Sequence, residues 1–274
     1  MTGREDPGFT ALASRIAGEA GLDVGAYKDR CLRRRIAVRM RACGVHTYTD
    51  YLTVLDQQPG EFERLLDALT INVTKFFRNR ETWDTLAAEV VPALIKAREG
   101  RVRAWSAGCS SGEEPYTIAM MIAQVLERMG RSGWLDRLRV DATDFDRASL
   151  DTARAARYPR KAFSEASPEI PLRFCTAIEP DLVEVRAEIR ALVEFHRRDL
   201  LSDPPVAAGY DLIFCRNVVI YFDRTTQEKL MNRFTDTLAP DGILVLGKVE
   251  TIFGPARERL NLIDPRERIY RRVA

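Results

Sequence analysis

Three loops rich in acids carry the first chemical signal in this chain. After the β-rich run RVRAW comes SAGCSSGEE, in which Gly108 and Gly112 bracket a short loop and Glu113 and Glu114 open a helical stretch. After LRVDAT come Asp144 and Asp146, and after VEFHRR comes Asp199. If these runs are parallel strands of an open α/β sheet, their carboxyl ends are where a ligand binds. The glycine spacing is G-x-x-x-G and not the dinucleotide G-x-G-x-x-G. Two glutamates at the head of a helix repel phosphate from a terminus that otherwise attracts it, so a neutral or cationic ligand is favoured. An acid at the end of the second strand suits ribose hydroxyls, with Asp144 or Asp146 in that role, and Asp199 is placed to accept from an adenine amino group. Singly, each acid is more readily a helix cap. At successive strand ends they describe an adenosine-bearing ligand with a positive charge, which is S-adenosylmethionine.

The elements that would hold these residues follow from periodicity. From residue 101 onward β-rich runs alternate with helical stretches: strands at 101–108, 138–143, 193–200, 210–217 and 242–248, with helices after Gly112, at about 147–156 and at about 224–238. Alternation of this kind predicts an α/β sheet with parallel central strands. LNLID and RERIYRRV near the C-terminus predict a closing antiparallel hairpin, and residues 158–192, turn-rich and then β-like, read as an inserted subdomain of short β ribbons. Residues 9–70 carry a helical period with breaks, giving helices at about 9–20, 25–43, 48–57 and 60–70.

The rest of the composition narrows the chemistry. With 274 residues, 46% hydrophobic and 30% charged, the chain has length for a large core and no apolar run that spans a membrane. MTGREDPGF has no apolar signal core, so a cytoplasmic protein is expected. The five cysteines are scattered and never spaced C-x-x-C, which predicts free thiols and no metal site. Only His46 and His196 offer imidazole, too little for a histidine-centred triad. Net charge is +2, which gives no general attraction for nucleic acid. The local exception is KDRCLRRRIAVRMR at 28–41, with seven basic residues against Asp29. On a helix its Tyr27, Cys31, Leu32, Ile36, Val38 and Met40 lean to one side, and the arginines form a basic outer surface.

Four segments carry a family resemblance. LTINVTKFFRN (69–79), WSAGCSSGEEPYTIAM (105–120), ATDFD (142–146) and DLIFCRNVVIYFD (211–223) resemble, in order and spacing, the signature blocks of the chemotaxis receptor methyltransferases, the CheR family. The resemblance runs from about residue 9 to 272. It implies an N-terminal helical domain with linker over 1–80 and a class I, Rossmann-like methyltransferase domain with a mixed sheet over 81–274, the small antiparallel β-subdomain being inserted at about 158–192. It further implies transfer of the methyl of S-adenosylmethionine to glutamates of a chemoreceptor helical bundle, leaving S-adenosylhomocysteine, beside membrane-bound or soluble receptor arrays; a monomer is expected. Carried over residue by residue, Asn72, Thr74, Arg78, Gly108, Glu113, Asp144, Asp199, Leu200, Arg216 and Asn217 fall on cofactor-binding positions, and Tyr221, Arg78 and Arg216 on positions near the reacting centre. Asp199 stands where the family has Asn, which keeps an acceptor and loses an amide donor.

Phe76, Phe77, Ile220 and Phe222 within these segments are expected to be core residues. An acidic substrate makes the arginines of the basic helix, Arg33, Arg34, Arg35 and Arg39, candidates for docking it. Two departures stand out. The family's G-H-S-E run is Gly247–Lys248–Val249–Glu250 here, and RFCTAIEPDLVEV lacks the glycine-containing loop of members that dock a receptor C-terminal pentapeptide. A pentapeptide-independent enzyme is therefore expected. The rival reading is a regulatory module that binds the cofactor without methylating receptors; retention of Asn217 and Tyr221 argues against it.

Overall fold

Caps and apolar spacing set the first helices. Asp6 accepts from the Gly8 N–H at 2.8 Å and starts α1 (Pro7–Ala20), which Gly21 ends in the left-handed region. Thr47 accepts from Asp50 N–H at 3.1 Å and starts α3 (Tyr48–Gln57), between α2 (Asp29–Ala42) and α4 (Glu61–Leu69). The computed structural model describes residues 6–69 and 74–273, and the chain divides into two units: Met1–Asn72 with Tyr221–Thr226, and Val73–Ile220 with Gln227–Ala274.

In the helical unit, Leu12, Ile16, Leu32, Ile36, Tyr51 and Leu65 are buried at the i, i+4 spacing of their helices. Glu61 is buried with them, accepting from Arg39 Nε and Nη2 at 3.0 and 2.7 Å and from the Tyr51 hydroxyl at 2.8 Å, so its charge is fully partnered. The second helix begins at Asp29 rather than residue 25. Val24–Ala26 is a 3₁₀ turn capped by Asp23, and Tyr27 is extended in a bridge to Phe222, which the helical period could not signal.

The larger unit is built on a seven-stranded sheet. Its strands are β1 (Arg103–Ala107), β2 (Arg139–Asp144), β6 (Val193–Arg197), β7 (Tyr210–Cys215), β8 (Leu238–Leu246), β9 (Leu260–Asp264) and β10 (Ile269–Arg272), in the order β6-β2-β1-β7-β8-β10-β9. The first five of that order pair in parallel, and β10 pairs antiparallel with β8 and β9, giving the expected closing hairpin. Helix α7 (Glu113–Arg128) crosses from β1 to β2 and is buried almost all round, with α8 (Arg147–Ala155) following β2 and α11 (Arg224–Thr237) following β7. No described helix is long and apolar enough to cross a membrane.

The insertion is a three-stranded antiparallel sheet, β3 (Arg157–Pro159), β5 (Leu182–Val185) and β4 (Cys175–Glu179) in that order. It is not all ribbon, however: Glu169–Phe174 is a helix, α9, with Ile170 and Phe174 buried, and Ala187–Arg190 is a helical turn, α10. The stretch before β1, to which the sequence analysis assigned nothing, is helical as α5 (Arg80–Thr85), a π turn at Leu86–Val90 and α6 (Val91–Ala97). The π turn and Pro92 interrupt the 3.6-residue period there, which hides the element.

Candidate active site

The strand order reverses direction between β1 and β7, and that switch point is where an open α/β sheet receives its ligand. A pocket lies there, lined by Thr74, Lys75, Arg78, Trp83, Gly108, Cys109, Ser110, Glu114, Arg216 and Asn217. Gly108 lines it, and Gly112 closes the loop that follows. Gly108 has φ +81° and a Cβ there would stand 2.6 Å from Val218, while Gly112 has φ +96° and a Cβ would meet Ala153 and the Tyr158 hydroxyl at 2.8 Å. The loop between them is held by Asp144, whose Oδ2 accepts from Ser110 N–H at 2.7 Å and whose Oδ1 accepts from Asp146 N–H at 2.9 Å.

Arg216 is the buried hub. Its side chain is 2% exposed, donates from Nη2 to the Arg78 carbonyl at 2.9 Å and to Asn79 Oδ1 at 3.1 Å, faces Glu114 at 3.7 Å, and lies 5.3 Å above the Trp83 ring. Glu114 also accepts from Ser106 Oγ at 2.7 Å. Glu250 accepts from the backbone N–H groups of Gly247, Asn217 and Ile220 at 2.6, 3.0 and 3.3 Å, which fixes the turn after β7. Asn217, at φ +62°, keeps its Oδ1 buried and without a hydrogen-bond partner. Burial pushes the carboxyls of Glu113, Glu114, Asp144 and Glu250 above their ordinary range; Arg216 opposes this at Glu114, and backbone N–H groups oppose it at Asp144 and Glu250.

A larger cavity of about 310 Å³ opens between α5, α7 and α9. Four of its charges are paired, Arg80 with Asp84 and Arg173 with Glu127, and its lining includes no strand end. The switch-point pocket is therefore the better candidate despite its smaller volume.

Residues 72–268 match the family model "CheR methyltransferase, SAM binding domain", and residues 7–70 match "CheR methyltransferase, all-alpha domain". The chain belongs to the CheR methyltransferase family. It is similar to proteins named chemotaxis protein methyltransferase from Salmonella typhimurium (36% identical, covering 92% of this chain and 86% of that one), Escherichia coli (35%, 89% and 84%) and Borreliella burgdorferi (32%, 90% and 88%). As a CheR-family S-adenosylmethionine-dependent methyltransferase, the chain has a pocket whose chemistry fits that cofactor. Its backbone passes close at Gly108, the Asn217 oxygen is an unsatisfied acceptor, and the buried Glu114 carboxyl lines it, raised by burial and opposed by Arg216.

The structure sorts the expected site residues. Thr74, Arg78, Gly108, Arg216 and Asn217 converge on the pocket, Glu113 and Asp144 hold its loop, and Asn72 lies outside the described residues. Asp146 is the N-cap of α8, accepting from Ala148 N–H at 3.0 Å and Ser149 Oγ at 2.7 Å, so Asp144 is the acid left facing the loop. Asp199 closes a local turn, Oδ1 accepting from Leu201 N–H and Oδ2 from Ser202 Oγ. Tyr221 packs with the helical unit, its ring 4.5 Å from the Arg35 guanidinium. Phe76, Phe77 and Phe222 are core residues as expected, whereas Ile220 is only half-buried.

The basic helix needs the largest correction. Arg35 is 8% exposed, donates to the Leu69 carbonyl and sits under Tyr221, so it is not a surface residue. Arg33 pairs with Asp29 and covers the Phe9 ring, and Arg39 is tied to Glu61. Val38, expected on the buried side, is 49% exposed. The open face carries Arg30, Arg34, Val38 and Arg41 at i, i+4, i+8 and i+11. Trp83, Glu114 and Glu250 are site residues that sequence reasoning missed or left unassigned. Glu250 follows directly on the noted Gly247–Lys248–Val249 departure and was the available signal.

The raised carboxyls give a pH expectation. A cation bound beside them favours their ionised forms, so binding S-adenosylmethionine should release protons, and affinity should fall as pH drops through the window just above the ordinary carboxylate range. Calorimetry in two buffers of different ionisation enthalpy checks this. Proton release that grows as pH is lowered is expected, and identical enthalpies in both buffers would contradict it.

Proposed function

We propose that this enzyme methylates glutamate side chains on the helical cytoplasmic bundle of chemoreceptors, forming methyl esters. The observation that carries the reading is the pairing of a cation-suited pocket with an arginine-lined mouth and no imidazole among its lining residues. A glutamate carboxylate, with an unperturbed pKa of about 4.3, is already the anionic nucleophile at neutral pH and needs no general base. Bound S-adenosylmethionine supplies an electrophilic methyl on a sulfonium and leaves as S-adenosylhomocysteine. The protein's part is orientation and exclusion of water. Arg216, buried and engaged, positions the Arg78 carbonyl and Asn79, and Arg78, half-buried at the pocket, receives the carboxylate. Asp144 holds the ribose, Asp199 and Leu200 flank the adenine, and Asn217 accepts from the cofactor's ammonium. The alternative of a non-methylating binding module is disfavoured by the retained Asn217 and Tyr221.

Docking on an acidic bundle belongs to the open face of α2. Replacing Arg30, Arg34 and Arg41 together by Ala should raise KM for receptor on the order of tenfold, at about 0.5 kcal/mol per screened contact, with cofactor affinity intact. Rising salt should mimic the change. Steady-state kinetics on receptor fragments checks this; an unchanged KM would make that face ordinary solvated surface.

Recruitment through a receptor tail is not part of the proposal. Strand β4 does offer a free edge, yet the loop that follows it has no glycine, and the Pro180 and Asp181 carbonyls are already taken by Arg160 at 2.9 Å each. Exposed Glu179 and Asp181 repel an acidic peptide. Receptor fragments with and without a C-terminal pentapeptide should be methylated equally in the same assay.

A further inference from the structure

Beside β1, strand β2 and edge strand β6 bring three metal-ligating side chains together. Asp141 lies directly across from Glu194, and His196 lies two residues on, so all three project from one face. His196 Nε2 is 3.8 Å from Asp141 Oδ1 and 3.6 Å from Glu194 Oε1, and the three donor atoms lie within 4.8 Å of one another.

Two details separate this group from a chance meeting of surface charges. Asp141 is 4% exposed and every hydrogen bond it accepts falls on Oδ2, from Arg103 Nε at 3.0 Å and the Tyr210 hydroxyl at 2.6 Å. Those bonds fix the carboxylate with Oδ1 turned to His196. The His196 Nε2 atom is buried and has no hydrogen-bond partner. Its distances to both carboxylates are too long for hydrogen bonds of about 2.7–3.2 Å. Ligands about 2.0–2.2 Å from a tetrahedral centre stand roughly 3.3–3.6 Å apart, so the pairs at 3.6 and 3.8 Å would draw in by a few tenths of an ångström on binding an ion, a change that a small turn of the His196 ring and of exposed Glu194 supplies.

We propose that Asp141, Glu194 and His196 bind a divalent transition-metal ion of the zinc class. One imidazole and two carboxylates favour zinc over magnesium or calcium, which take oxygen ligands only. Glu194, 76% exposed, is the entry side and leaves room for water as a fourth ligand. Arg103 neutralises part of the Asp141 charge, so the donor set carries about one net negative charge and affinity is moderate rather than that of a thiolate site. The ion would clip edge strand β6 to β2, and β6 runs directly into the Asp199–Leu200 turn. Its role is to stiffen that strand, and it takes no part in methyl transfer.

The test uses the full chain stripped with chelator and titrated with zinc chloride by calorimetry, with cobalt chloride as a spectroscopic probe. One zinc per chain is expected, with visible cobalt bands of a tetrahedral site and slower hydrogen exchange in β6. His196→Gln should weaken zinc at least about tenfold and abolish the cobalt bands, since loss of a ligand costs no less than loss of its supporting contacts. Glu194→Gln, at an exposed position, should weaken binding without affecting folding. His46→Gln should change nothing, which matters because His46 is the only other histidine. Absent binding, or zinc affinity equal in the wild type and His196→Gln, would overturn the site and leave a histidine held between two carboxylates.

Discussion

Arg216→Ala is expected to reduce S-adenosylmethionine affinity by more than a hundredfold and to lower the melting temperature as well. Removing a guanidinium that is 2% exposed leaves Glu114 buried without its cation and takes a donor from Asn79 Oδ1 and from the Arg78 carbonyl, which keeps only Trp83 Nε1 at 3.0 Å. Breaking a buried pair by deleting one partner costs roughly 3–5 kcal/mol. Arg216→Lys restores the charge but cannot reproduce the planar donor set, so it should recover only part of the loss. Calorimetric binding with thermal unfolding on both variants checks this. Full affinity in Arg216→Ala would remove the residue from the site.

Asp144→Ala should raise the cofactor dissociation constant by about two orders of magnitude while leaving KM for receptor unchanged. The carboxylate holds Ser110 and Asp146 N–H groups and is proposed to accept the ribose hydroxyls, and charge-assisted hydrogen bonds contribute about 1.5–3 kcal/mol each. Asp146→Ala is the informative partner. It should cost about 1 kcal/mol of stability through the lost α8 cap and leave affinity nearly intact. The reverse pattern in the two variants would exchange their assignments.

These two residues also illustrate what the sequence could convey. Strand ends, the helix start at Glu113 and the closing hairpin were legible because binary patterning, glycines and first-turn acids are local signals. Asp144 and Asp146 could not be told apart from sequence, because capping and ligand binding use the same side chain two positions apart. The four arginines of α2 failed for a different reason. Charge alone suggests solvent, whereas the helix turns Arg35 inward at the i+3 position from Leu32, next to Ile36. Only the packing of Tyr221 and Leu69 around it reveals the burial. The π turn after α5 likewise erased the period by which residues 80–97 would have been read as helical. Glu250 stood within the Gly247–Lys248–Val249–Glu250 departure, but its role was hidden because two of the three backbone N–H groups it accepts from, those of Asn217 and Ile220, lie 33 and 30 residues earlier and leave no local pattern.

The central claim is glutamate methylation without a general base. Incubating the purified enzyme with methyl-labelled S-adenosylmethionine and the cytoplasmic fragment of a chemoreceptor, then treating the product with base, tests it most directly. The account predicts label on receptor that is released as methanol by mild base and lost when the acceptor glutamates are replaced by alanine. Label that resists base, or a receptor that remains unlabelled while the enzyme binds cofactor, would contradict it.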